Sequence, residues 1–301
     1  MTGHLWKLAL VVALSHWYRN VGRRLGPRWA GLVTALPCST AVALLGGGSD
    51  RGVDYAVAMA GACWVGLAGA SALPLGFAAA LNAGWGWARA ALAGIVSYGL
   101  VVLGAGALAE AVGDAVGVAL AVMGVATVLA GRIGEPNAPR RAGDRALSPR
   151  RVLVLRTVVP AACLAAVIGA GEALGPAVAG RLGTFPAMTL TALLLTNLEA
   201  GPVPAARMAR ALPPGNWAMV AFLAAFIPAA PRFGLLAGTG LAYLAAVACL
   251  VLVGRAVNPP ILTSLAGMLR ARRRQLRPAL VAPAWPKLPR RFSPGVEAAL
   301  A

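Results

Sequence analysis

GRRLGPRWAGLVTALPCSTAVALL, residues 22–45, returns as GEALGPAVAGRLGTFPAMTLTALL at residues 171–194, an offset of 149. Without a gap, 11 of the 24 positions are identical. They include Gly22/Gly171, Leu25/Leu174, Gly26/Gly175, Pro27/Pro176, Ala30/Ala179, Gly31/Gly180, Pro37/Pro186 and Thr40/Thr189. Alanine and leucine recur cheaply in an apolar chain. G-x-x-x-G-P, then A-G, then P-x-x-T in one register does not. The offset is close to half of the 301 residues, so the duplicated unit is about half the protein.

What surrounds the repeat fixes its medium. Residues of the hydrophobic class make up 59% of the chain and Asp, Glu, Lys and Arg only 12%, about half the usual charged share. Mean hydropathy is +0.75. Too few charges remain to cover a water-facing surface, which argues against a soluble enzyme, a disordered tail protein and a secreted disulfide scaffold. A bundle of membrane-spanning helices remains.

Apolar runs long enough to cross a bilayer lie at residues 29–48, 55–81, 90–109, 115–131, 152–171, 177–198 and 233–254. Two shorter runs, 5–18 and 217–230, bring the total to nine. Residues 5–18 lack a basic stretch ahead of them and a small-x-small site behind them, so they read as the first span and not as a cleaved signal. The expected fold is all-α: a polytopic transmembrane bundle of about nine spans in two inverted-topology repeats. Its parts are a first repeat of five spans (1–131), an Arg/Pro-rich cytoplasmic linker (132–151), a second repeat of four spans (152–254) and a basic tail (255–301). A degenerate fifth element of the second repeat falls at 261–269. An odd number of elements per unit makes the copies enter the membrane from opposite sides.

Lys+Arg number 27 against nine Asp+Glu. A nucleic-acid partner is the wrong reading of that excess, because the basic residues fall between apolar segments. Under a nine-span count, 22 of the 27 lie in the odd-numbered loops and the tail. Positive charge marks the cytoplasmic side, so the N-terminus is outside and the tail inside. Trp6, Trp17, Trp29, Trp85, Trp87 and Trp217 sit near span ends, where amphipathic rings favour the headgroup zone. Arginine outnumbers lysine overwhelmingly in an Ala/Gly/Pro-rich chain, the bias of a GC-rich genome, and the expected location is a bacterial plasma membrane. Partners are then the bilayer itself, anionic lipid at the tail, and an unidentified small molecule. A homo-oligomer is compatible with all of this.

Pro37 and Pro186 fall about ten residues into their spans, near the bilayer midplane at ~1.5 Å rise per residue. Each lacks an N–H and loosens the carbonyls of the preceding turn, Val33 and Leu182. Ser39, Thr40, Thr184, Thr189 and Thr191 lie close by. Two readings stand side by side: structural kinks closed by hydroxyls, or a pseudosymmetric binding site lined by Pro37, Ser39, Thr40, Thr184, Pro186, Thr189 and Thr191.

The paired L-G-P-x-x-A-G-x-x-x-x-x-P motifs, each ahead of an apolar run, resemble a group of uncharacterised bacterial multi-spanning integral membrane proteins built from two such halves. The resemblance covers segments 22–50 and 171–200 and carries no activity with it.

The remaining chemistry is sparse. The chain holds no P-loop, H-E-x-x-H, G-x-S-x-G or dinucleotide fingerprint, and only two histidines, His4 and His16. Cys38, Cys63, Cys163 and Cys249 fall inside apolar segments and read as small packing residues. Arg156 and Arg181 fall within spans and are expected to snorkel to the nearer face. G-x-x-x-G at Gly113–Gly117 and Gly234–Gly238 suggests tight helix packing. An enzyme, a cofactor and a metal are not expected. The expected function is secondary transport of a small molecule between spans 2 and 7; the alternative is a non-transporting scaffold or accessory subunit.

Overall fold

A computed structural model describes residues 36–134 and 173–257, with scattered helical positions between 154 and 170. Span 1, the first copy of the G-P-x-x-A-G motif, most of the linker, most of span 6 with Arg156, and the tail from 258 onward lie outside the described residues. The described residues are helical throughout, joined by short turns. Their helices are α1 (Cys38–Arg51), α2 (Val53–Asn82), α3 (Trp87–Val112), α4 (Ala115–Arg132), α5 (Pro176–Gly183), α6 (Ala187–Ala200), α7 (Pro202–Gly215) and α8 (Trp217–Val257).

Five stretches among them are long and apolar enough to cross a membrane: Val53–Asn82, Trp87–Val112, Ala115–Arg132, Pro176–Ala200 and Pro202–Gly254. The last has 53 residues, roughly 80 Å of helix at ~1.5 Å per residue, against a hydrocarbon core of about 30 Å. It does not run straight. Gly234, at φ 82 and ψ 166, turns the chain back on itself. A Cβ on Gly238 would lie 2.7 Å from Ala230 Cα, and Cys249 Sγ donates to the Trp217 carbonyl at 3.3 Å. α7 with the first arm of α8 forms one rod, and residues 235–254 fold back along it.

That arrangement corrects the expectation for 199–216. The sequence places Arg207, Arg210 and the Pro213-Pro214-Gly215 breaker in a loop, leaving 217–230 as a short span. Instead the helix begins at Pro202, at the N-terminal position where a missing N–H costs nothing. Asn216 keeps right-handed helical geometry, φ −63 and ψ −14, and its N–H reaches the Leu212 carbonyl at 2.9 Å. The two prolines therefore interrupt hydrogen bonding without ending the rod. Packing outweighs their propensity, because Ala205, Ala206, Ala209 and Leu212 are all at or below 1% exposure.

α2 is the centre of the bundle. It packs against α1, α3, α4, α5, α7 and α8, and small residues let them approach. Gly69 and Gly76 leave room for the Tyr98 and Ala93 carbonyls of α3, while Gly94 of α3 leaves room for the Leu73 carbonyl. Of the G-x-x-x-G pairs named above, Gly238 packs closely on Ala230, whereas Gly113 and Gly117 serve a turn. Gly113 is a left-handed C-cap at φ 75, and the Gly117 N–H donates to the Asp114 carboxylate that caps α4. The outer surfaces of α3, α4 and the second arm of α8 expose Leu92, Leu100, Leu103, Val125, Leu236, Leu244 and Leu252, as faces turned to lipid would.

Local geometry recurs at the offset of the sequence repeat. α1 and α6 each have 14 residues, and their bounds differ by 149. Each starts directly after its proline and ends at a glycine of φ 93, Gly52 and Gly201. Beyond the motif, Met59/Met208, Gly66/Gly215 and Phe77/Phe226 keep the same register. Both methionines are 2% exposed and both phenylalanines 0%.

Candidate functional site: two helix breaks

The expected kink at Pro186 is a full interruption; the stretch ahead of Pro37 lies outside the described residues, which begin at 36. α5 stops at Gly183 and α6 starts at Ala187. At each proline the flanking residues close a three-residue turn: Cys38 N–H to the Leu36 carbonyl and Ala187 N–H to the Phe185 carbonyl, both 2.8 Å. With φ, ψ of −74, 40 at Pro37 and −83, 61 at Pro186, these resemble inverse γ-turns. Proline holds the φ such a turn needs.

A break leaves carbonyls that an apolar medium will not satisfy. Leu182 loses its Pro186 donor and accepts the Phe185 N–H at 2.8 Å instead. The Arg181 carbonyl accepts two hydroxyls, Tyr98 at 2.7 Å and Thr184 at 2.9 Å. The Gly183 carbonyl accepts Thr40 Oγ1 at 3.1 Å, across 143 residues of sequence. That bond ties the first turn of α1, directly after Pro37, to the end of α5 at the 184–186 break.

Thr40 is fully buried and Thr184 is 2% exposed, each donating to a carbonyl at the second break. Thr189 is 7% exposed in the first turn of α6. Thr191 turns onto its own helix, donating to the Ala187 carbonyl at 2.8 Å. Ser39 and Pro186 are half-buried, and Pro37 is buried. Neither α1 nor α6 has a side-chain cap, so the positive ends of two helix dipoles lie at the breaks.

Sequence reasoning passed over the tyrosines, of which the chain has four. Tyr98 of α3 stands edge-on to Phe185, ring centroids 5.0 Å apart, while its hydroxyl holds the Arg181 carbonyl. Tyr243, on the second arm of α8, is hydrogen-bonded to Cys38 beside Pro37 and packs edge-on to Phe222 at 5.4 Å. A tyrosine thus lies against each proline turn, Tyr98 at Phe185 and Tyr243 at Cys38. A tyrosine in mid-span was the available signal, since its hydroxyl needs a buried partner. Glycine contributes too. A Cβ on Gly66 of α2 would run into Thr184 Oγ1 and the Arg181 carbonyl, and one on Gly180 would meet the Met59 carbonyl.

Arg181 reaches away from the break along α3, past Gly106, to pair with Glu110 at 2.9 Å. The snorkelling direction is towards the C-terminal end of α3. On the opposite side of the bundle, Asn82 Nδ2 donates to the Gly134 carbonyl at 2.9 Å and Arg210 Nε to the Ala130 carbonyl at 3.3 Å. A further buried pair, Asn216 Nδ2 to Ser71 Oγ at 3.0 Å, joins the α7–α8 junction to α2. Comparison with protein-family models, curated proteins and solved structures returned no match.

Proposed function

We propose that this integral membrane protein is a secondary transporter of a small polar solute, built from two inverted halves, with its solute region where the two helix breaks meet. The observation that carries the reading is the Thr40–Gly183 hydrogen bond between the halves. Irregular backbone at membrane depth is tolerated where it is buried in protein or lines a cavity. Broken helices at a repeat interface are a recurrent way to build a transport site. Pro37, Ser39, Thr40, Thr184, Pro186, Thr189 and Thr191 are the residues assigned to it. Nine crossings, an external N-terminus and a cytoplasmic tail in a bacterial plasma membrane complete the proposal, and no cofactor enters it.

A second reading has its own observation. Thr40, Thr184 and Thr191 donate to carbonyls, as they would in a scaffold whose breaks are packed dry. Water access separates the two. Cys38, 4% exposed beside Pro37, is retained while the other three cysteines are replaced by alanine. A membrane-impermeant maleimide is then applied to right-side-out and to inside-out vesicles. Alternating access labels Cys38 from both faces; labelling from neither face favours the scaffold and sinks the transporter.

A further inference from the structure

α5 has the mechanical character of a gate. It is a helix of only eight residues with a non-helical joint at each end: Gly175 at φ 82, and the Thr184–Pro186 break. Between the joints it lies on α2 through small residues. Gly180 sits over the Met59 carbonyl and within 2.7 Å of Ala62 Cβ by its missing side chain. Such a contact has no interlocking side chains to unpick, so the helix can lift without repacking the core. Beneath it, Cys63 is fully buried, one residue from Ala62 and three from Gly66.

Among the described residues, Thr40 of α1 ties the end of α5 at the Gly183 carbonyl, and two side chains of α3 hold its body down. Tyr98 binds the Arg181 carbonyl from the interior, and Glu110 binds the Arg181 guanidinium from the rim. The interior tie is buried, with Tyr98 at 6% exposure. The rim tie is wet: the side chains of Arg181 and Glu110 are 38% and 70% exposed. A wet ion pair biases an equilibrium by a small factor and does not lock it. That is the strength a gate opening on the μs–ms scale requires.

We propose that the Arg181–Glu110 ion pair is the latch of a gate formed by α5, and that its release exposes the α2 surface around Cys63 to water from the side on which α3 ends. The proposal rests on the transporter reading, because a packed scaffold has no use for a moving half-helix. Glu110 and Arg181 act as positioning residues: they set how often α5 is lifted and do not touch the solute.

The test uses the full chain in right-side-out vesicles, with Cys38, Cys163 and Cys249 replaced by alanine so that Cys63 is the sole thiol. A membrane-impermeant maleimide is added from outside and the initial labelling rate is measured. The unmodified pair should give a slow, finite rate. Glu110→Ala should raise it about threefold, the shift expected on losing an exposed ion pair. The charge-swapped double variant, Glu110→Arg with Arg181→Glu, should return the rate towards the starting value, which loosening of the fold would not do. A measurable rate that ignores Glu110 overturns the latch and leaves the transporter standing. Silence of Cys63 in every variant, together with silence of Cys38 from both faces in the earlier experiment, overturns both.

Discussion

Gly66 shows how much of this site depends on an atom that is absent. Its position on α2 faces Thr184 and the Arg181 carbonyl so closely that no Cβ fits in the packed arrangement. Thr184 is at the break, and the carbonyl is already held by Tyr98. Gly66→Ala should therefore lower the melting temperature of the detergent-solubilised protein, with a cost of about 1–3 kcal/mol for overpacking. Gly106→Ala is the control. Its Cβ would rest 3.6 Å from Arg181 Nη1, an ordinary contact, and the melting temperature should hold or rise slightly. Equal losses from both would mean that glycine is needed on these helices for some reason other than close approach. The same residue scale holds the hydroxyls. Ser39, Thr40, Thr184, Thr189 and Thr191 were legible in the sequence as polar groups near the two prolines. Which carbonyl each one serves was not, because Thr40 finds its partner 143 residues away.

Among the elements, α1 and α6 are the informative pair, helices of 14 residues that begin directly after a proline and end at the next turn. Gly52 and Gly201, their terminal glycines, sit at φ 93 with ψ 169 and 176, a region that only glycine occupies without strain. A Cβ at either position would meet nothing within 4 Å. Alanine at Gly52 or Gly201 should thus destabilise through the backbone alone, by about 1–3 kcal/mol each. Thermal melts of the two single variants should show similar losses; a neutral result at either would show that its turn can relax to another conformation. The prolines teach the opposite lesson. Pro186 ends helical hydrogen bonding, as its missing N–H leads one to expect. Pro213 and Pro214 do not end the rod that contains them, because the alanine- and leucine-rich face around them is fully packed. Propensity proposes a break, and burial decides whether the chain takes it.

Across the described part of the molecule, polar contacts gather at two opposite ends of the bundle. Asn82, Gly134, Arg210 and Ala130 meet at one side. Arg181 and Glu110 meet towards the end of α3, next to a loop the count places outside. Reporter fusions after Gly131 and Ala301 should be active only in the cytoplasm, and one after Gly48 only outside. An external signal from either of the first two would overturn the topology.

An apolar medium, the helical class and the helix break at Pro186 were legible in the residues alone. Each of these follows from properties written locally: apolar runs of spanning length and proline's missing donor. Tertiary structure decided how that break is closed. Tyr98, Tyr243, Gly66 and Thr40 each act on a partner distant in the chain, and hydropathy is blind to such pairing because it scores a residue and never its neighbour in space. It also decided that Pro202–Gly254 doubles back at Gly234, since a hairpin of two apolar arms and one long apolar rod have the same composition. Only the packing of the two arms on each other, at Gly238 and at Cys249, tells them apart.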